Sequence, residues 1–232
     1  MVKPISNESA LRNHLAAARA EREAAARFAV SAADRLAVRS WQQARLTQTH
    51  ADFLASARYG PAAKFFVTEL YSTKDLSQRD ADIERVVKVL VKFLPDKALA
   101  TLATALEMDA LSELLDNRLA ARLRDAQGNE RPLRIDGTAY QRAYCEAEDM
   151  TLRNRQFELT EEIGASLDTL TKVPLLQGLL RIMKRPAYAS GVGQLHEFLD
   201  RGYAAFAHMK GGAEFVKTVV ARERTEHQRL IG

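Results

Sequence analysis

From Asn7 to Tyr59 the chain contains no glycine and no proline. The first such pair, Gly60-Pro61, is the punctuation that ends one helix and opens another. The whole chain of 232 residues holds only 11 Gly and 6 Pro, whereas Ala, Leu, Arg and Glu, all good helix formers, abound. Val and Ile are few outside 83–94, so little of the chain reads as strand. These features predict an all-α protein without significant sheet, an irregular bundle of about seven to nine helices led by a long N-terminal helix.

The segment 7–59 reads as that long helix, or as two with a bend, with Ser6 or Asn7 as N-cap. Leu11, Leu15, Ala18, Ala25, Ala29, Ala32 and Leu36 recur at alternating steps of four and three. They form a heptad-like seam filled mostly with Ala, which allows close helix approach and self-association. A helix over 61–71 comes next, then a loop at 72–76 and a capping box at Ser77-Gln78-Arg79-Asp80. Ile83, Val86, Val87, Leu90, Val91 and Leu94 repeat at helical spacing to Pro95. Asp96 and Asp109 read as caps of two further helices. The stretch 126–137, with Gly128, Asn129, Pro132 and Gly137, is the clearest break. The chain is thus one helical domain over 1–232, or two helical halves, 1–125 and 138–232, joined by that loop. Helices over 138–170, from Pro174 to a break at Arg185-Pro186, over 195–206 and over 213–230 complete the reading.

Composition excludes several classes of function. The single cysteine, Cys145, excludes an intrachain disulfide framework and a four-cysteine zinc site. No window is long and apolar enough for a membrane span, and the N-terminus has no signal-peptide core. A cytoplasmic protein without a membrane partner is expected. The net charge of +4 sits on residues 1–50, where eight basic residues meet four acidic ones, as a solvated helix face.

Phe65-Phe66-Val67-Thr68-Glu69-Leu70-Tyr71 is the densest aromatic spot in a chain that is 7% aromatic. It resembles the signature of the FFLEELY motif family of bacterial proteins. Phe65, Phe66, Glu69, Leu70 and Tyr71 match, while Val67 and Thr68 depart from its Leu and Glu. Asp75, Arg79-Asp80 and Leu94-Pro95 fit the same resemblance. The family carries no assigned activity, so the resemblance implies no catalytic residues.

Specific chemistry finds little support. Glu223, Glu226 and His227, Glu158, Glu161 and Glu162, and His196-Glu197 are the nearest approaches to a metal-ligand pattern, but no Glu-x-x-His is present. Glu223 and Glu226 stand among Arg222, Arg224 and Arg229 and read as a solvated helix end. No metal or cofactor is implied. Of the five histidines, His14, His50, His196, His208 and His227, His50 is best placed, sharing a face with Thr47 and Leu54 near the aromatic cluster. Cys145 reads as a small buried apolar residue. A helix-turn-helix over 98–119 would open its reading helix with Asp109, Glu113 and Asp116, whose carboxylates repel phosphate, so no sequence-specific DNA partner is expected. Two functional classes remain. The first is a non-enzymatic protein acting through self-association or a protein partner along the Ala seam. The second is a ligand-binding or catalytic bundle with a pocket around Phe66, Glu69, Tyr71 and His50, its small molecule unspecified.

Overall fold

The computed structural model describes residues 6–24, 31–70, 77–128, 133–147 and 149–232. All regular structure among them is helical. The helices are α1 (Asn7–Ala24), α2 (Ala32–Thr49), α3 (Ala51–Ala55), α4 (Gly60–Phe65), α5 (Ser77–Phe93), α6 (Asp96–Gln127), α7 (Gly137–Ala147), α8 (Met150–Leu170), α9 (Pro174–Ala189), α10 (Gly193–His208) and α11 (Ala213–Ile231). A π-helical turn over Phe66–Leu70 continues α4. The number of helices exceeds the expected seven to nine.

Four local expectations are corrected. The segment 7–59 does not run as one helix. Ser31 caps a fresh start, its hydroxyl accepting from the Asp34 amide while the Asp34 carboxylate accepts from the Ser31 amide. Pro95, not Asp96, holds the N-cap position of α6, and Asp109 is not an N-cap either. It lies inside the 32-residue α6, where its carboxylate takes Arg22 at 2.6 Å. The turn that a helix-turn-helix requires at 108–109 is therefore missing. Pro186 does not stop α9, because it sits on the exposed side of the last turn, where the carbonyl it leaves unbonded can reach solvent. Gly60-Pro61, Pro95-Asp96, Pro174 and Gly211-Gly212 do fall at helix boundaries, and Ser6 caps α1 through the Ser9 amide.

Helix α6 is the spine, with α1, α2, α7 and α8 packed around it. Its apolar residues do not form a single stripe, as befits a helix buried on several sides. One core cluster joins Val38 of α2, Leu119 and Leu123 of α6, Tyr140 and Tyr144 of α7, and Leu230 of α11. A second joins Leu46, Phe53, Ala62, Phe66, Phe206 and Phe215, and a third joins Leu11, Leu15, Ile83, Leu99, Leu106 and Leu195. Each draws on residues from both sides of 126–137. The break itself is shorter than expected, since α6 runs to Gln127. Gln127 bonds the amide and carbonyl of Arg134, and Leu133 is buried.

The spine carries charge into the core. Glu113 is 1% exposed, and its carboxylate receives Arg22 at 3.0 Å, Arg35 at 3.3 Å and Arg39 at 2.6 Å. Arg22 also reaches Asp80 and Asp109, and Arg39 reaches Asp116. Four helices, α1, α2, α5 and α6, are tied at this node. Farther along, Asp34 pairs with Arg124. A buried charge survives only when it is matched this closely.

Candidate functional site

Helical spacing brings a second polar group together beside α6, sharing Asp116 with the first. Helix α2 presents Gln42 and Arg45 three residues apart. Helix α7 presents Tyr140 and Tyr144 four apart, α8 presents Arg153 and Gln156, and α11 presents Glu223 and His227 four apart. These side chains line one cavity of about 70 Å³. Its wall is braced by a stack of Trp41 on Tyr140, with ring centroids 3.7 Å apart, and by the Gln42 amide donating to the Tyr140 hydroxyl.

The donors and acceptors here are unequal in number. Arg45 grips both oxygens of Glu223, at 3.1 and 2.6 Å, and His50 Nε2 lies 3.1 Å from the same carboxylate. Burial alone would raise the Glu223 carboxyl, but the bonds from His50 and Arg45 outweigh it and hold the group below its ordinary range. His227 is 6% exposed, and its Nδ1 meets the Tyr144 hydroxyl at 2.9 Å. Burial, reinforced by the positive charges of Arg153 and Arg224, holds His227 below its ordinary 6.5, so the ring is neutral at pH 7. The Tyr144 hydroxyl and Nδ1 share one hydrogen bond, and Nε2 is buried without a hydrogen-bond partner. Arg153 donates to Gln156 at 2.6 Å and lies 4.8 Å from the Tyr144 ring centroid. Its Nε is buried without a partner, and it meets no carboxylate among the described residues.

An apolar chamber of about 130 Å³ adjoins the polar one, and Gln42, Phe66, Ser112, Asp116, Thr160 and Val219 belong to both walls. Ile83, Leu106, Phe198, Phe206 and Phe215 line the rest. Where the two meet, burial pushes the Asp116 carboxyl up, against the pull of Arg39. The chamber is closed by a tight crossing of α8 and α11, where a Cβ on Gly164 would stand 2.3 Å from a methyl of Val216.

The aromatic motif contributes to this site through one residue. Phe66 lines both chambers and meets the buried His50 ring edge-on at 6.0 Å. The π turn exposes the Val67 carbonyl to the Gln43 amide at 2.9 Å, and such turns recur at functional sites. Phe65 faces the other way, packing on Phe198 and so close to Gly202 that a Cβ there would lie 2.8 Å from the ring. Glu69 does not join His50. It pairs with Arg201 of α10 at 3.3 Å. Tyr71 and the Leu70 side chain lie outside the described residues.

Of the Ala seam, Leu11, Leu15 and Ala18 are buried within the chain, Ala32 is exposed and Leu36 is 48% exposed. Ala25 and Ala29 lie outside the described residues. Among the described residues no three His, Cys, Asp or Glu side chains stand together as metal ligands. His227 is buried and Glu223 half-buried rather than solvated, and Cys145 is exposed, its thiol 3.0 Å from the Leu230 carbonyl. Arg153, Tyr144, Tyr140 and Gln42 were missed by sequence reasoning. The signal available was the pairing of two four-residue spacings, Tyr140 with Tyr144 and Glu223 with His227, on helices that could face each other.

Residues 20–232 match the family described as Domain of unknown function (DUF8198), and the chain belongs to that family. No curated protein and no solved structure matches it. Among the described residues no helix is long and apolar enough to cross a membrane.

Proposed function

We propose that the protein binds a small amphiphile carrying one negative charge, its anion beside Arg153 and His227 and its hydrocarbon part in the adjoining apolar chamber. The observation that carries this reading is the pair of buried, unbonded nitrogens, Arg153 Nε and His227 Nε2, on side chains that line one cavity. A buried donor without a partner costs about 1–3 kcal/mol, which a carboxylate or similar acceptor would return on binding. The charge balance supports a single anion. Glu223 is already met by Arg45, Asp116 by Arg39 and Glu226 by Arg229, whereas Arg153 has no such partner among the described residues. The chamber is of the size of cavities, on the order of 150 Å³, that stay dry and take up small apolar molecules. The role proposed is one of binding.

The FFLEELY-like motif enters this reading through Phe66, which the π turn presents to both chambers. We take the protein to be cytoplasmic on its cysteine usage. Self-association along the Ala seam is the weaker reading, because Leu11, Leu15 and Ala18 are already used inside the chain.

The test is a calorimetric titration with octanoate and with octanol. Octanoate should bind at least about tenfold more tightly, a difference of about 1.4 kcal/mol, and Arg153→Met should abolish that preference. Equal binding of the two, no saturable binding of either, or a preference that survives Arg153→Met would each refute the reading.

A further inference from the structure

Helix α9 turns an unusual outer face to solvent. Leu175 and Ile182, seven residues apart and so on one side of the helix, are 83% and 73% exposed. Arg181, Lys184 and Arg185 are exposed beside them. None of these three cations meets a carboxylate among the described residues, unlike most arginines of the bundle. No Asp or Glu occurs between Asp168 and Glu197. Lys172 is already taken by Asp168, and Glu197 by Tyr188 and Arg201, so the flanking acids do not neutralise the face.

We infer that α9 docks the protein on the surface of an anionic lipid bilayer, lying in the interface with Leu175 and Ile182 in the acyl boundary and Arg181, Lys184 and Arg185 among the headgroups. Helices with large apolar side chains flanked by Lys and Arg behave in this way without spanning the membrane. Charge decides the occupant. A second copy of the chain would bring the same three cations face to face, whereas phosphate-bearing lipids complement them. The inner side of the helix agrees with a hydrocarbon neighbour. Leu179, Met183 and Ala187 line an apolar cavity of about 120 Å³ beneath α9. Leu180 and Leu199 belong both to this cavity and to a second one of about 130 Å³, which in turn shares Leu102, Ile163 and Phe198 with the chamber next to Phe66. A bilayer contact at α9 would therefore stand at the outer end of a row of apolar cavities.

The test uses the full chain and sedimentation with phosphatidylcholine vesicles, pure or with about 30% phosphatidylglycerol. The wild-type protein should pellet with the anionic vesicles only, and added salt should weaken the binding. Two surface variants, Leu175→Ser with Ile182→Ser, and Arg181→Gln with Lys184→Gln and Arg185→Gln, should each lower the partition by about tenfold or more while leaving the melting temperature unchanged. No binding of the wild type, or binding that both variants retain, would overturn the inference. So would a dimer in analytical ultracentrifugation that the serine variant dissolves, since the face would then belong to a second copy. Equal binding to soluble polyglutamate, insensitive to the serine variant, would point to an acidic protein instead. None of these results depends on octanoate binding, so the two readings stand or fall separately.

Discussion

Glu113 and His227 are buried to nearly the same degree, 1% and 6% exposed, yet their surroundings differ. Around Glu113 three guanidiniums converge on one carboxylate and pass on to Asp80, Asp109 and Asp116. Around His227 the carboxylates are taken and donors remain. A node in which each acid is met by a base holds helices together, even though Arg35 Nε there is also buried without a partner. A node with surplus donors beside a void is held by its packing and has something to offer. Burial and polarity alone do not separate the two; the balance of partners does.

Four experiments bear on this contrast. The largest effect is expected from Glu113→Gln, which leaves Arg22, Arg35 and Arg39 facing one another in the core. Urea denaturation should show a loss of about 3–5 kcal/mol, and a loss below about 1 would mean the node is not structural. Gly164→Ala should cost about 1–3 kcal/mol in the same assay, because the new methyl must displace Val216 at the crossing that closes the apolar chamber. Tyr144→Phe removes the bond to His227 and should cost about 1 kcal/mol. Arg153→Met breaks no ion pair among the described residues but loses the bond to Gln156 and the contact with the Tyr144 ring, and should cost about 1 kcal/mol. An effect as large as that of Glu113→Gln would erase the difference between the two nodes.

A pH titration sharpens the same point. The folded-state pKa of His227 lies below its ordinary 6.5, so the unfolded chain binds the proton first. The stability His227 contributes is present above pH 6.5 and is lost as pH falls from there toward the depressed folded value. Glu223 adds a further loss only below its ordinary 4.5. Melting temperatures measured from about pH 7.5 down to about 5.5 should therefore fall in the wild type and fall less in His227→Gln. Parallel curves would show that His227 is not the titrating group.

Where local chemistry decides, the sequence was readable. Gly60-Pro61, Pro95-Asp96, Pro174 and Gly211-Gly212 mark helix boundaries through conformational limits that act within a few residues. It was misread where a distant partner decides. Asp109 has the composition of a cap, but Arg22 recruits its carboxylate into a continuous helix from 87 positions away. Likewise the rings of His50 and Phe66 meet, while Glu69 turns to Arg201, 132 positions on. The polar cavity was hidden for the same reason. Glu223 and His227 sit among arginines in the sequence, and only the placement of α2 and α7 against α11 shows that they face inward.

The π turn over Phe66–Leu70 gives the motif a property that its composition does not. A π turn accommodates an extra residue relative to the regular helix. Deleting one residue there would let α4 continue in regular α form and would remove the widened turn that offers the Val67 carbonyl to Gln43. The motif is therefore a length as much as a spelling. Val67 and Thr68 lie within that turn. Val67 stays apolar and buried, and Thr68 returns its hydroxyl to the Lys64 carbonyl. Substitutions at 67 and 68 should thus be tolerated better than a single-residue deletion, which would remove the π turn itself.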